Sequence, residues 1–186
     1  MSRIHPWPRL KSRLRIALPV FDLMEHRVRS PRTGDEHDFY TIESRDWVNV
    51  IAVTPDERFV FVRQYRHGVD RVTLETPGGI IDDADLSPAV AGARELVEES
   101  GYASDRVEAI GAFDPNPALF SNRCHVVVAT DVHLVGGINL DAGEDIDTLL
   151  LTRDEVRAGI RSGEIGHAIV VSSFYHYDAW REEQGR

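Results

Sequence analysis

The chain has 186 residues, 42% of them hydrophobic and 28% charged, and a formal net charge of −10. This length suits one domain with a small appendage and leaves room for a proper core. The acidic balance argues against a nucleic-acid groove, which needs a basic surface, and no apolar run approaches the roughly 20 residues that span a bilayer.

The first residues lack the apolar core of an export signal. Arg3, Arg9, Lys11, Arg13 and Arg15 all precede the first acidic residue, Asp22, and read as a loose basic tail rather than a targeting or anion-binding arm. Short strands are expected at Ile16 to Val20, Met24 to Val28 and Phe39 to Ile42, with a turn over Ser30-Pro31-Arg32-Thr33-Gly34-Asp35. Trp47 to Val53 and Arg58 to Tyr65 form a hairpin about the turn Thr54-Pro55-Asp56-Glu57. Val72 to Glu75 is a short strand ended by Pro77-Gly78-Gly79, where two glycines let the backbone come close to a ligand.

A helix follows. Ser87 is its N-cap, Pro88 its first residue and Gly101 its stop. Ala89, Ala93, Leu96 and Val97 are expected on its inner face, with the carboxylates and Arg94 left towards solvent or a site. Arg106 to Phe113 is a strand, and Asp114-Pro115-Asn116-Pro117 a loop stiffened by its prolines. Cys124 to Thr130 and Thr148 to Thr152 are strands. Helices are expected over Asp154 to Ser162 and about Ala168 to Arg181. Cys124 is the only cysteine, so no intrachain disulfide can form. The thiol reads as buried and structural, in a reducing, cytoplasmic setting.

The chemistry concentrates in Arg94-Glu95-Leu96-Val97-Glu98-Glu99-Ser100-Gly101-Tyr102. Glu95, Glu98 and Glu99 are spaced i, i+3, i+4, so their side chains stack over adjacent turns and repel. A hard cation such as Mg²⁺, held by carboxylates together with substrate phosphates, turns that repulsion into a site. The negative net charge does not exclude a phosphorylated substrate, because a bound metal ion supplies positive charge locally.

This run resembles the Nudix box, G-x5-E-x7-R-E-U-x-E-E-x-G-U with U a bulky apolar residue, and its C-terminal half matches at every position. The N-terminal half departs from the pattern. Gly79 is followed by five residues and then by Asp85 in place of Glu, and eight residues rather than seven separate Asp85 from Arg94. A one-residue insertion in the loop accounts for the count and leaves the role of Asp85 open. Gln64-Tyr65-Arg66 and Leu74-Glu75-Thr76-Pro77-Gly78-Gly79 resemble the flanks of ADP-ribose and nucleotide-sugar pyrophosphatases. Pro117 lies 15 residues beyond Tyr102, close to a marker proline of the ADP-ribose subgroup. The stretch from Asn116-Pro117-Ala118 to Asn122-Arg123-Cys124-His125 resembles relatives that act on sugars such as GDP-mannose.

The resemblance implies an α/β fold, a Nudix-type α/β/α sandwich with a mixed sheet, plus a small N-terminal antiparallel β region. Residues 1–45 would form the strand region that builds a homodimer and part of the pocket, and residues 46–186 the hydrolase domain. It implies Mg²⁺, with Mn²⁺ as an alternative, on Glu95, Glu98, Glu99 and the Gly78 carbonyl. Glu99 or Glu144 would be the catalytic base, with Asp145 second to Glu144; an acidic surface loop is the other reading of Gly143-Glu144-Asp145-Ile146-Asp147, and the sequence leaves both open. Arg94 would hold the loop through a carboxylate. Trp47 would stack on a base or join the core. Arg66 would meet a phosphate or pair with Glu75. With Pro117 and Arg123 these are the candidate substrate contacts. The implied reaction is hydrolysis of the pyrophosphate bond in a nucleoside diphosphate linked to X, with ADP-ribose going to AMP and ribose 5-phosphate. GDP-mannose or another nucleotide sugar, and a non-catalytic ligand-binding module, are the alternatives. The partner is a small nucleotide, with neither nucleic acid nor membrane.

Overall fold

The structure is a computed structural model, described over residues 4–138 and 145–185. Its chain divides into two compact units, Met1–Arg45 with Asp114–Arg123, and Asp46–Phe113 with Cys124–Arg186.

The first unit is an antiparallel sheet in the order β1-β2-β3, formed by Arg9–Ala17, Asp22–Arg29 and Glu36–Glu43. The basic tail expected from composition is therefore a strand. Charged and apolar or hydroxyl residues alternate from Arg9 to Ile16, which supplies the two-residue period of a strand. Acidic partners lie across the ladder: Arg13 is in register with Glu25, and Arg15 Nε donates to Glu25 at 2.9 Å. The strand breaks register at two bulges and ends at Ala17, short of the expected Val20. Asp114–Arg123 joins this unit through Ile42. The Ile42 amide donates to the Leu119 carbonyl at 2.8 Å, and Ser121 N returns a bond to Ile42 O at 3.1 Å.

The second unit is built on a mixed sheet with strand order β12-β5-β4-β10-β9. These are Ile146–Leu151, Phe59–Arg66, Trp47–Val53, Cys124–Thr130 and Arg106–Phe113. β4 and β10 run parallel with Trp47 opposite Cys124, and the remaining pairs are antiparallel. Towards the start of β4 the sheet splays. Arg71–Glu75 (β6) pairs there with β5, and Gly78–Ile80 (β7) pairs with β4. A separate two-stranded antiparallel sheet pairs Tyr102–Ala103 (β8) with His133–Leu134 (β11).

Apart from Asn49, strand β4 is apolar on both faces, as expected of a strand covered on both sides. Val48, Val50 and Ala52 pack with Val60, Val127, Ala91 and Leu96 beneath helix α1, Pro88–Ser100. Ile51 and Val53 pack on the other face with Val156, Val170 and Phe174 of α2, Arg153–Ser162, and α3, Ala168–Glu183. Phe59, Phe174 and Tyr177 meet edge to face there, at 5.2 to 6.3 Å between centroids, a geometry worth about 1 kcal/mol per pair beyond burial. The result is the expected α/β/α sandwich. No helix among the described residues is long and apolar enough to cross a membrane.

Candidate active site

Helix α1 is set by local signals at both ends. Ser87 Oγ accepts from Val90 N, Pro88 follows, and Gly101 closes the helix at φ 72°, a conformation that costs glycine least. The buried residues are Ala91, Gly92, Leu96, Glu99 and Ser100. Ala89, Ala93 and Val97 are only half-buried, which corrects the expected inner face. The cause is Gly92: a Cβ there would sit 3.0 Å from Val127 Cγ1, so the helix approaches the sheet on the glycine side. The carboxylates consequently do not all face solvent. The Glu99 residue is 3% exposed, whereas the Glu98 side chain is 39% exposed.

Arg94 organises this face. Its Nη1 donates to Glu95 Oε1 and to Glu98 Oε2, each at 2.9 Å, and its Nη2 donates to Asp85 Oδ2 at 2.9 Å and to the Ile80 carbonyl at 3.1 Å. One guanidinium thus ties two helix carboxylates to the loop. The Asp85 hydrogen bond, ahead of the charge of Glu95 and the hydrogen bonds to Glu98 and Glu95, holds the guanidinium above its already high ordinary value despite partial burial. Asp85 in turn is held below the usual carboxylate range, chiefly by Arg94. The departure in the box is thereby accounted for. A shorter carboxylate on a loop one residue longer still reaches Arg94, and the Asp85 carboxylate also accepts from Asp82 N at 2.9 Å.

The glycine pair lies between β4 and α1. Gly78 is in register with Asn49 and Gly79 with Val48. A Cβ on Gly78 would sit 2.3 Å from the Val48 carbonyl oxygen, and one on Gly79 would sit 2.4 Å from Glu95 Oε1. The Gly78 amide donates to Glu99 Oε2 at 2.9 Å. Behind the pair, Asn49 binds Thr76, an interaction with no signal in the sequence because the partners lie 27 positions apart. His125 Nε2 lies 3.1 Å from Asp46 Oδ2, and the Asp46 carbonyl accepts from Ile81 N at 2.9 Å. Sequence reading missed this pair as well.

Arg66 and Glu75 meet each other. The guanidinium donates from Nε to Oε1 at 3.0 Å and from Nη2 to Oε2 at 2.8 Å. Thr73 Oγ1 adds a bond to Glu75 at 2.6 Å, and His167 Nδ1, ahead of α3, approaches Oε2 to 3.1 Å without hydrogen-bond alignment. Burial acts to raise the Glu75 carboxyl. Its contacts with His167, Arg66 and Thr73 outweigh that and hold it far below the usual carboxylate range.

Trp47 begins β4 half-buried, on the strand face shared with Ile51 and Val53, opposite α1. Pro117 and Arg123 belong to the N-terminal unit. Pro117 is exposed in a turn, and Arg123 lies 3.9 Å from Asp114. Glu144 lies outside the described residues, and Asp145 is exposed.

Among the described residues no three His, Cys, Asp or Glu side chains close on one metal-sized point. Glu95 and Glu98 nevertheless converge on one positively charged nitrogen at 2.9 Å, so that nitrogen stands in for a cation. Carboxylate and carbonyl oxygens are the donors a hard ion takes. The residues present fit such an ion.

Residues 43–171 match the NUDIX domain family. The chain is 28% identical over 147 residues to the ADP-ribose pyrophosphatase of Bacillus subtilis, covering 78% of each. It is 32% identical over 119 residues to the methanol dehydrogenase activator of Bacillus methanolicus, which covers 63% of this chain and spans only 64% of that protein. A crystal structure of an ADP compounds hydrolase superposes on the chain with a TM-score of 0.87 over 100% of both, at 20% identity.

Proposed function

The chain belongs to the Nudix family, and from that premise we propose that it hydrolyses the diphosphate bond of a nucleoside diphosphate linked to a second group, ADP-ribose foremost. Water would add across the bond to give AMP and ribose 5-phosphate. The observation that carries the reading is the convergence of Glu95 and Glu98 on one cationic nitrogen beside a glycine pair. The name of the Bacillus subtilis relative favours ADP-ribose over GDP-mannose and other nucleotide sugars.

Glu95, Glu98, Glu99 and the Gly78 carbonyl would hold Mg²⁺, or Mn²⁺ in its place. Held there, such an ion would offset the charge of the diphosphate and lower the pKa of a water. Arg94 keeps the Glu95 and Glu98 carboxylates on the loop side of α1. Glu99, which accepts from the Gly78 amide at Oε2, would serve as an ion ligand or take a proton from water within hydrogen-bond reach. Glu144 is the other base candidate. Trp47, Arg66, Glu75, Pro117 and Arg123 remain the proposed substrate contacts. The bidentate pairing of Arg66 and Glu75 supports a role in which Glu75 aims the guanidinium at a phosphate.

A homodimer is proposed with the N-terminal sheet as its contact. Leu10, Leu14, Ile16 and Phe39 expose apolar surface on this unit, and surface of that kind is commonly covered by a partner. A cytoplasmic setting fits the buried, unpaired Cys124.

The test is a panel of ADP-ribose, GDP-mannose, UDP-glucose and dinucleotides with Mg²⁺, read out as product phosphates and repeated with Glu98→Gln and Glu99→Gln. ADP-ribose is expected to be the best substrate and both variants to lose most turnover. A folded variant that keeps wild-type turnover would remove that carboxylate from the ion site. Tight ligand binding with no turnover under several divalent metals would replace the enzyme with a binding module. Light scattering after size exclusion checks the dimer.

A further inference from the structure

Asn49 is 5% exposed, between apolar neighbours in a strand buried on both faces. A buried amide costs stability unless its donors and acceptor are matched, and here each end is used. Asn49 Oδ1 accepts from Thr76 Oγ1 at 2.8 Å. Asn49 Nδ2 donates to the Thr76 carbonyl at 3.3 Å and reaches towards the Pro77 carbonyl at 3.5 Å. That second carbonyl is already the acceptor of Val50 N at 2.8 Å.

Thr76 and Pro77 lie between β6 and β7 and have no place in either ladder. The Asn49 side chain substitutes for the missing ladder, acting as a short piece of strand edge. The next residue is Gly78, whose amide meets Glu99 Oε2. Gly78 already packs so closely on β4 that an added Cβ would fall 2.3 Å from the Val48 carbonyl oxygen and 3.0 Å from Asn49 Cα, which leaves its peptide little room to move towards the strand. It is limited from below by the β4 backbone, held from above by Glu99, and fixed along the strand by what Asn49 does to Thr76.

We propose that Asn49, paired with Thr76, is a positioning residue that sets the Gly78 peptide against Glu99 and thereby sets the affinity of the Glu95, Glu98 and Glu99 cluster for a divalent ion. The side-chain hydrogen bonds of Asn49 go to Thr76 and Pro77. Asn49 acts through Thr76 and the Gly78 backbone. The inference rests on the ion reading given above, and the measurements separate the two.

Asn49→Asp keeps the size of the side chain and removes both amide donors. Thr76→Val removes the hydroxyl and keeps the shape, and Thr76→Ser keeps the hydroxyl. In the full-length protein without substrate, Mn²⁺ binding is followed by electron paramagnetic resonance, and Gly78 amide exchange by NMR. Asn49→Asp and Thr76→Val are expected to weaken Mn²⁺ binding by about tenfold or more, the usual effect of losing a group that orients a ligand. Both should speed exchange at Gly78, while Thr76→Ser stays close to wild type. In turnover, the metal concentration for half-activation should rise while KM for substrate at saturating metal holds. Wild-type Mn²⁺ affinity in folded Asn49→Asp or in Thr76→Val would overturn the proposal, and Thr76→Val decides it if Asn49→Asp does not fold. Absence of Mn²⁺ binding by the wild type would overturn the ion reading itself and the role of Asn49 with it.

Discussion

Arg94 and Asp85 meet across the loop that precedes helix α1, Nη2 to Oδ2 at 2.9 Å, with Nε to Oδ1 at 3.4 Å. Asp85 draws one edge of the guanidinium towards the loop while the other edge holds Glu95 and Glu98. Asp85→Asn should therefore loosen loop and carboxylates together. A loss of about 1 kcal/mol is expected, the upper end for a partly exposed ion pair, or about 2–4 °C in Tm for a chain of this size. Because Asp85 is held below its ordinary value, its contribution is present above the carboxylate range and lost as pH falls through it. The Tm gap between wild type and variant should be full at neutral pH and close on acidification. A companion variant, Asp85→Glu with the exposed Leu86 deleted, returns the loop to the usual family count and should restore the gap.

The two glycines of β7 should fail in different ways. A Cβ on Gly78 meets the Val48 backbone at 2.3 Å, which cannot yield, whereas a Cβ on Gly79 meets the far end of the Glu95 side chain at 2.4 Å, which can. Gly78→Ala should cost about 2–3 kcal/mol as overpacking, measured by urea unfolding. Gly79→Ala should cost well under half of that yet displace Glu95 and weaken divalent-ion binding, measured by calorimetric titration.

Glu75 should be a large electrostatic contributor to acid stability. Its carboxyl is held far below the usual range, so stabilisation is present above the unfolded-state pKa of about 4.3 and lost as pH falls below it. Glu75→Gln should destabilise by about 2 kcal/mol at neutral pH, the scale of hydrogen bonds to a charged group. Chemical denaturation at stepped pH should show the wild-type advantage disappearing only in strong acid. An advantage that is flat with pH would contradict the paired carboxylate.

Cys124 should be silent to thiol reagents in the folded state. Burial, reinforced by the charge of Asp46, pushes its thiol up to about 12, and the residue is fully enclosed in β10. Reaction with a chromogenic disulfide at neutral pH should follow global unfolding, with full labelling only in denaturant.

Helix α1 was legible because its signals are local, and the sandwich because that helix carries the run that resembles the Nudix box. Ser87, Pro88 and Gly101 mark the helix ends, and the run from Arg94 to Tyr102 carries its chemistry in consecutive residues. The β1 strand was missed because its apolar positions alternate with arginines whose acidic partner, Glu25, lies on the next strand. The inner face of α1 was misplaced because Gly92, rather than a large apolar residue, makes the closest approach to the sheet. Asn49 gave no sign of its role, since an asparagine among valines reads the same whether or not a threonine lies opposite.

The bonds between Ile42 and the segment from Leu119 to Ser121 bear on how the protein comes off the ribosome. The first three strands pair with their immediate neighbours in the chain and can zip as they emerge. The piece that completes their unit is synthesised only after β4, the glycine pair and helix α1 have appeared. For that interval the nascent N-terminal sheet lacks the backbone partners of Ile42, which makes this edge a point where a holding chaperone or a second nascent chain can compete with native closure.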